Sequence, residues 1–187
     1  MENEDGLREE TRQLVSDYLE YCCRREGCQE RPPSTPAAAT MRTVARELRR
    51  SYRDFFECAR SQLQDRAPEH VISEVAEMMD QDGFNWGRVA VLVVFTGAMM
   101  ETEDQEKKER GQLRSELSRR LTEELCDYLV EKKGAWLREN GGWTGFHHHF
   151  TQKQPPPQSD PNSTLCCIMA AAAGFGLMGL ALLLAVR

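Results

Sequence analysis

The segment Gly83–Gly97, with the sequence GFNWGRVAVLVVFTG, limits the fold of this chain more than any other feature. It begins with turn-forming residues and with Asn85, a residue type that often caps helices, and it stays apolar almost without a break to Met100. Such an element cannot face water on any side, so it must lie inside the protein. The one charge in its first turn, Arg88, therefore needs a carboxylate partner or a path to the surface.

The conformation of this segment follows from its neighbours. Residues 89–95 are rich in β-branched side chains and would also suit a buried strand. The flanking segments, however, have the spacing of apolar residues that is typical of amphipathic helices, so a lone strand would have no partner. Helices are predicted at residues 7–25, 37–64, 68–80, 106–131, 135–139 and 143–150. We predict a buried helix over residues 85–100, ended by Gly97 and the acidic residues after it, and an all-α bundle that surrounds this helix.

The predicted helix at residues 37–64 has two distinct faces. Its apolar residues recur every three or four positions and predict one buried face. Its other face carries a run of arginines, which predicts a solvated surface because arginine side chains are rarely buried unless they are paired. These arginines are Arg42, Arg46, Arg49, Arg50 and Arg53.

The composition and the absence of motifs exclude several classes of function. The net charge of −6 and the lack of a basic stripe interleaved with aromatic residues argue against a nucleic-acid partner. The sequence has no glycine-rich phosphate loop, no CxxC and no HExxH motif, and no serine or cysteine in a nucleophile context. The consecutive histidines His147–His149 point about 100° apart on a helix and cannot all bind one metal ion. We therefore expect no enzyme, no cofactor and no metal site.

The C-terminal run at residues 165–186 is uncharged and rich in alanine, leucine, glycine and methionine. A helix of this length spans about 33 Å, enough to cross a bilayer core of about 30 Å. Residues 151–164 are polar and rich in proline, as is typical of a tether. We predict a helical domain at residues 1–150, a flexible linker at 151–164 and a transmembrane anchor at 165–187. The acidic N-terminus resembles no secretory signal, so the domain is expected to face the cytosol with free thiols.

Three segments of this chain resemble homology motifs of the Bcl-2 family of apoptosis regulators. Gly83–Gly97, with its Asn-Trp-Gly-Arg sequence, resembles the first motif, and Trp136–Phe146 (WLRENGGWTGF) is similar to the second. Residues 15–19 of the first helix are similar to the fourth motif, which survival-promoting members carry near the N-terminus. The order and spacing of the motifs and the C-terminal apolar run also match, so the resemblance covers nearly the whole chain.

The third motif of the family, Leu-x-x-x-Gly-Asp, is degenerate here. When it is aligned on Leu48 and Phe55, the position of the small residue holds Tyr52 and the acidic position holds Arg53. The acidic residue, Asp54, is displaced by one position. This form, with the short first loop, is similar to the Nr-13/Nrz branch of the family. It disfavours donation of this helix to the groove of another member, whereas a receiving role needs only its apolar wall.

The resemblance implies a groove that receives the amphipathic third-motif (BH3) helix of a pro-apoptotic family protein. Arg88 would bind an aspartate of that helix, Asn85 would donate a hydrogen bond to the same carboxylate, and Gly87 would allow close approach of the partner's backbone. The implied apolar lining consists of Phe55, Ala59, Leu63, Met79, Val91 and Phe95. The alternative for Arg88 is a pair inside the chain with Asp80, Asp82 or an acid of the first helix.

The tryptophans of the two motifs also have two interpretations. Trp86 and Trp143 are predicted as core residues, and contact with the partner helix is the alternative. Gly141 and Gly142 are predicted to form the turn before Trp143.

Three functions are compatible with the resemblance. The first is a survival factor that captures BH3 helices of effector and BH3-only proteins at the mitochondrial outer membrane or the endoplasmic reticulum. The second is a pore-forming effector. Two features disfavour it: the apolar segment at residues 89–100 is shorter than the about 20 residues that a membrane-spanning helix needs, and the third motif is degenerate. The third is a tail-anchored adaptor of an endoplasmic-reticulum calcium channel such as the inositol trisphosphate receptor, which the sequence neither supports nor excludes. We expect the first function.

Overall fold

The computed structural model of the protein describes residues 2–23, 31–63, 65–80, 83–100 and 109–152, which form an all-helical bundle. Its elements are α1 (Glu2–Cys22), α2 (Pro36–Ser51), α3 (Arg53–Leu63), α4 (Pro68–Asp80), α5 (Trp86–Met99), α6 (Glu109–Cys126), a π-helical turn (Asp127–Lys132), α7 (Gly134–Glu139) and α8 (Gly142–Thr151). The predicted anchor at residues 165–187 and nearly all of the predicted linker lie outside the described residues. Within the described ranges, no helix has the length and apolar character needed to span a membrane.

Helix α5 forms the centre of the bundle. The side chain of Asn85 caps it, because Asn85 Oδ1 accepts a hydrogen bond from the backbone N–H of Arg88 at 3.0 Å and so satisfies a donor that has no partner within the helix. All 14 residues of α5 are buried, and α1, α2, α3 and α4 pack around it. The predicted buried helix is confirmed, and the alternative of a strand at residues 89–95 is wrong.

Gly97 was predicted to end this helix, and that prediction is wrong, because α5 continues to Met99. A Cβ atom at Gly97 would lie 2.7 Å from Tyr18 Cε1 and 2.7 Å from Cys22 Sγ, both on α1. The glycine therefore permits the close approach of α1 to α5. The acidic residues that were predicted to help end the helix lie within residues 101–108, outside the described ranges.

Replacement of Gly97 by alanine is expected to lower the free energy of unfolding by about 1–3 kcal/mol, the usual cost of overpacking a core. The ring of Tyr18 is 1% exposed and has little room to move away from the added methyl group. Chemical denaturation followed by tryptophan fluorescence would measure the loss. Gly6→Ala is the matched control, because a Cβ atom there would meet nothing within 4 Å and alanine favours the helix. An equal response of the two variants would contradict the prediction.

The predicted helix at residues 37–64 is in fact two helices, α2 and α3. The break lies at Tyr52, whose φ and ψ angles are −121° and 33°. Tyr52 itself keeps both of its backbone hydrogen bonds at the break, because its N–H donates to Leu48 O at 2.9 Å and its O accepts from Phe56 N–H at 3.0 Å. The apolar spacing continues across the break and no glycine or proline marks it, so the sequence pattern predicts one helix.

An ion pair between α1 and α2 is buried in the first part of the bundle. Arg42 Nη2 lies 2.8 Å from Asp17 Oδ2, and the two side chains are only 6% and 9% exposed. Arg42 Nε also donates to Asp17 Oδ2 at 2.9 Å. Asp17 Oδ1 accepts from the backbone N–H of Ser34 at 3.0 Å, and Arg42 Nη1 donates to Arg31 O at 2.8 Å. The prediction of a solvated arginine is therefore wrong for Arg42, whereas Arg46, Arg50 and Arg53 are exposed and Arg49 is half-buried.

The C-terminal part of the bundle contains a cluster of aromatic rings around α8. Trp86 and Trp143 are 5% and 4% exposed, and each ring centroid lies 5.6 Å from that of Phe146. The interpretation of both tryptophans as core residues is confirmed. Trp143 Nε1 donates to Thr11 Oγ1 at 2.9 Å, and this bond joins α8 to α1.

The turn between α7 and α8 agrees with its prediction as a glycine turn. Gly141 and Gly142 have φ angles of 81° and 58°, in the region that glycine adopts most readily. A third glycine, Gly145, was not singled out from the sequence. A Cβ atom at Gly145 would lie 1.8 Å from Asn140 O, so only glycine leaves room for the backbone of the α7–α8 turn beside α8.

Candidate functional site

The N-terminal turn of α5 contains three of the residues predicted to bind a partner. Asn85 is half-buried, and Gly87 and Arg88 are buried. Because Asn85 Oδ1 caps the helix, its amide nitrogen is the side-chain atom that can donate a hydrogen bond to a ligand. The three residues are thus close in space, as their spacing in the sequence predicts.

Arg88 makes contacts that the sequence did not reveal. Its side chain is buried, with 3% of the residue exposed. Nη1 donates to Met79 O at 2.6 Å and also to Gly83 O. The last carbonyls of a helix lack partners within the helix and carry partial negative charge, so they attract a cation. Helix α4 has no basic residue in its own last turn, and Arg88 of α5 supplies one.

The alternative predicted for Arg88 is an ion pair inside the chain. Asp82 and the side chain of Asp80 lie outside the described residues. The contacts of Arg88 include those to the backbone carbonyls of Met79 and Gly83.

The predicted apolar lining comes from three helices that pack together. Helices α3 and α4 both contact α5, as the resemblance implies. Five of the six lining residues are at most 5% exposed, and Phe55 is half-buried against the same core. The buried five are Ala59, Leu63, Met79, Val91 and Phe95. The structure therefore brings the lining together in a closed core, with α3 packed on α5.

An aromatic surface next to Arg88 was missed by the sequence analysis. The ring centroids of Phe84 and Trp136 are 4.9 Å apart, and Lys133 Nζ lies 5.3 Å from the centroid of Phe84. Phe84 and Trp136 are both half-buried, so they present aromatic surface beside the first turn of α5. The sequence signal for Phe84 is its place just before the capping residue, where an apolar side chain often packs back on the helix.

The histidine run of α8 has a structural contact. His147 Nδ1 and Thr40 Oγ1 are 2.7 Å apart and form a hydrogen bond between α8 and α2. In the part of the chain that the structure describes, no group of three or more histidine, cysteine, aspartate or glutamate side chains could hold a metal ion. None of the described cysteines, Cys22, Cys23, Cys58 and Cys126, forms a disulfide bond.

Comparison with known proteins gives consistent similarities. Residues 41–143 match the family of apoptosis regulator proteins called the Bcl-2 family. The chain is 41% identical over 185 residues to the anti-apoptotic protein NR13 of Gallus gallus, covering 97% of this chain and 98% of that protein. It is 34% identical over 155 residues to Bcl-2-like protein 10 of Homo sapiens, covering 76% of each.

A solved structure is also similar. The crystal structure of the zebra-fish pro-survival protein NRZ in complex with the Bad BH3 superposes with a TM-score of 0.63 at 34% identity, covering 79% of this chain and 96% of that one. The family match at residues 41–143 includes all of the residues predicted to form the site.

Proposed function

Because this chain belongs to the Bcl-2 family of apoptosis regulators, we propose that it is a survival-promoting member that captures BH3 helices of pro-apoptotic proteins between α3, α4 and α5. Two of its relatives are named anti-apoptotic or pro-survival, and one of these, NRZ, was crystallised with a BH3 partner. The observation that carries the proposal is the position of Arg88 at the start of α5, where it is held by backbone carbonyls. A partner's carboxylate can compete with these carbonyls because it brings a full negative charge next to the guanidinium, whereas a carbonyl is a neutral dipole.

Capture of a helix requires the core to open on one side. Helix α3 packs on α5 and buries Phe56, Ala59 and Leu63. We propose that α3 separates from α5 and that the partner's apolar residues, spaced along one helix face, cover the surface that α3 leaves. The apolar area lost from one contact is regained in the other, so the opening need not cost the full burial energy of α3.

The break at Tyr52 favours a receiving role over a donating one. A donor must present its third motif as one continuous amphipathic helix. In this chain the aligned motif runs from Leu48 to Phe55, and the helix is interrupted inside it. Leu48 is also buried. These features support capture of foreign helices and not donation of its own.

We further propose that residues 165–187 anchor the chain in the mitochondrial outer membrane or the endoplasmic reticulum. The support is the uncharged run of residues 165–186, long enough as a helix to cross a bilayer. Alkaline extraction of membranes from cells that express the full chain should leave it in the pellet. A chain shortened before residue 165 should become extractable, and equal extraction of both would contradict the anchor.

Dye release from liposomes separates the survival factor from the pore-forming effector. The full chain reconstituted in liposomes is expected to release no dye by itself and to reduce the release caused by an activated effector protein. Addition of a BH3 peptide should restore release, because the peptide occupies the groove. Dye release by the chain without any effector would support the pore-forming alternative and contradict the proposal.

A further inference from the structure

Helix α2 has an exposed basic face. The helix carries four arginines and one glutamate, a net charge of +3, on a chain whose net charge is −6. Arg42 is buried against Asp17, whereas Arg46 and Arg50 are exposed. The two exposed arginines are four residues apart, so they lie one turn from each other on the same side of the helix. We call Arg46 and Arg50 the basic face of α2.

Nearby charged residues do not extend or cancel this face. Arg53, the first residue of α3, pairs with an acid of its own helix, because its Nε lies 2.8 Å from Glu57 Oε1. Such a pair adds no net charge. Glu47 is half-buried and points about 100° away from Arg46 around the helix. The basic face therefore rests on two arginines that project into water.

The place of α2 in the bundle brings this face near the start of the tether. Helix α2 packs against α8, and Thr40 Oγ1 and His147 Nδ1 are 2.7 Å apart between them. Helix α8 ends at Thr151, and residues 153–164 separate the bundle from the apolar run at 165–186. Twelve residues span at most about 40 Å, and a domain of this size has a radius of gyration of about 15 Å. An anchored bundle thus stays within about one of its own diameters of the membrane.

We propose that the basic face of α2 docks the helical domain on anionic lipid headgroups of the membrane that holds its anchor. The proposal rests on the anchor proposed above. Arginines near a leaflet that contains anionic lipids strengthen binding about fivefold each. An acidic protein surface would satisfy the same charges, but the tether keeps the membrane at a high effective concentration. Lipid is therefore the ligand that the position of α2 favours.

Docking through this face also orients the proposed site. Helix α3, which covers the apolar lining on α5, begins at Arg53, directly after the break that ends α2. The first turn of α3 would therefore lie close to the membrane surface. The domain would have one preferred orientation in place of free rotation about its tether.

Energy transfer in nanodiscs measures this docking. The full chain is reconstituted in nanodiscs of phosphatidylcholine, with or without phosphatidylserine, that carry a dansyl-labelled lipid. Transfer from the tryptophans, all of which lie between residues 86 and 143, increases when the bundle approaches the headgroups. We expect greater transfer with phosphatidylserine than without it. The difference should disappear at about 1 M salt, where the Debye length is about 3 Å.

Two double charge reversals identify the face that docks. Arg46→Glu with Arg50→Glu should abolish the increase caused by phosphatidylserine, and replacement of both by glutamine should reduce it. The matched control is Arg119→Glu with Arg120→Glu on α6, where the side chains are 62% and 53% exposed. It changes the net charge by the same amount and should keep the increase. Circular dichroism checks that each variant is folded.

The outcomes separate docking from the anchor. Equal transfer by the two double reversals would overturn the proposal, and an acidic protein would then be the ligand that fits the basic face. Loss of the full chain from the nanodiscs would instead contradict the anchor. In that case the full chain is floated with preformed vesicles of the same two compositions. A preference for phosphatidylserine that only the α2 reversal abolishes would still support docking, and its absence would overturn it.

Discussion

Replacement of Asp17 by alanine is expected to lower the free energy of unfolding by about 3–5 kcal/mol, the usual cost of removing one partner from a buried ion pair. Arg42 would stay in the core, where its side chain is 6% exposed, without the carboxylate that compensates its charge. The backbone N–H of Ser34 would lose its acceptor as well. Urea denaturation of the full chain in detergent, followed by tryptophan fluorescence, would measure the change.

Glu20 provides a matched control for Asp17. It lies on the same helix and also pairs with an arginine, Arg31, but these side chains are 57% and 79% exposed. Exposed pairs contribute about 0–1 kcal/mol, so Glu20→Ala should have a small effect. Replacement of both Asp17 and Arg42 by apolar residues should recover much of the loss, because no unpaired charge then remains in the core. Equal destabilisation by Asp17→Ala and Glu20→Ala would show that the pair is not a buried one.

The centre of the fold could be predicted because the sequence of α5 allows one solution. A segment without a polar face has to be enclosed, and the neighbouring helices are amphipathic and can enclose it. The capping role of Asn85 is likewise a local property, since the side chain bonds to the N–H of Arg88 only three residues later. Features that depend on short sequence distances were therefore predicted correctly.

Two of the features that could not be predicted, the burial of Arg42 and the role of Gly97, depend on distant contacts. A helical pattern treats the arginines of α2 alike, but Arg42 differs from Arg46 because Asp17, 25 residues earlier, lies beside it. At the break, Tyr52 keeps its own two backbone hydrogen bonds, and no glycine or proline marks it in the sequence. The sequence pattern predicted a helix end at Gly97, but the structure shows that a glycine is needed there because α1 approaches α5 closely.

The candidate site was likewise only partly predictable from the sequence. The sequence placed Asn85, Gly87 and Arg88 in one helical turn and the apolar lining on helices that do pack on α5. It did not show that Arg88 is held by the carbonyls of Met79 and Gly83, because backbone carbonyls are present at every position and give no sequence signal. Nor did it show that α3 covers the lining, since the packing of α3 on α5 is a property of the whole bundle.

Arg88→Ala is expected to weaken the binding of a BH3 peptide by about 2–5 kcal/mol, or about 30-fold or more in dissociation constant. In the complex the partner's carboxylate would lie in a desolvated place without the guanidinium that compensates its charge. Arg114→Ala, which removes a capping arginine from the other end of α5, should leave the affinity nearly unchanged.

Isothermal titration calorimetry of the full chain in detergent with a BH3 peptide decides most directly whether Arg88 receives a partner's carboxylate. The titration should be made with the unmodified chain and with Arg88→Ala, each against the natural peptide and a peptide whose aspartate is replaced by asparagine. We expect either change alone to weaken binding strongly and the second change to add little, because both remove the same contact. Unchanged affinity of Arg88→Ala for the natural peptide, or losses that simply add, would contradict capture through Arg88.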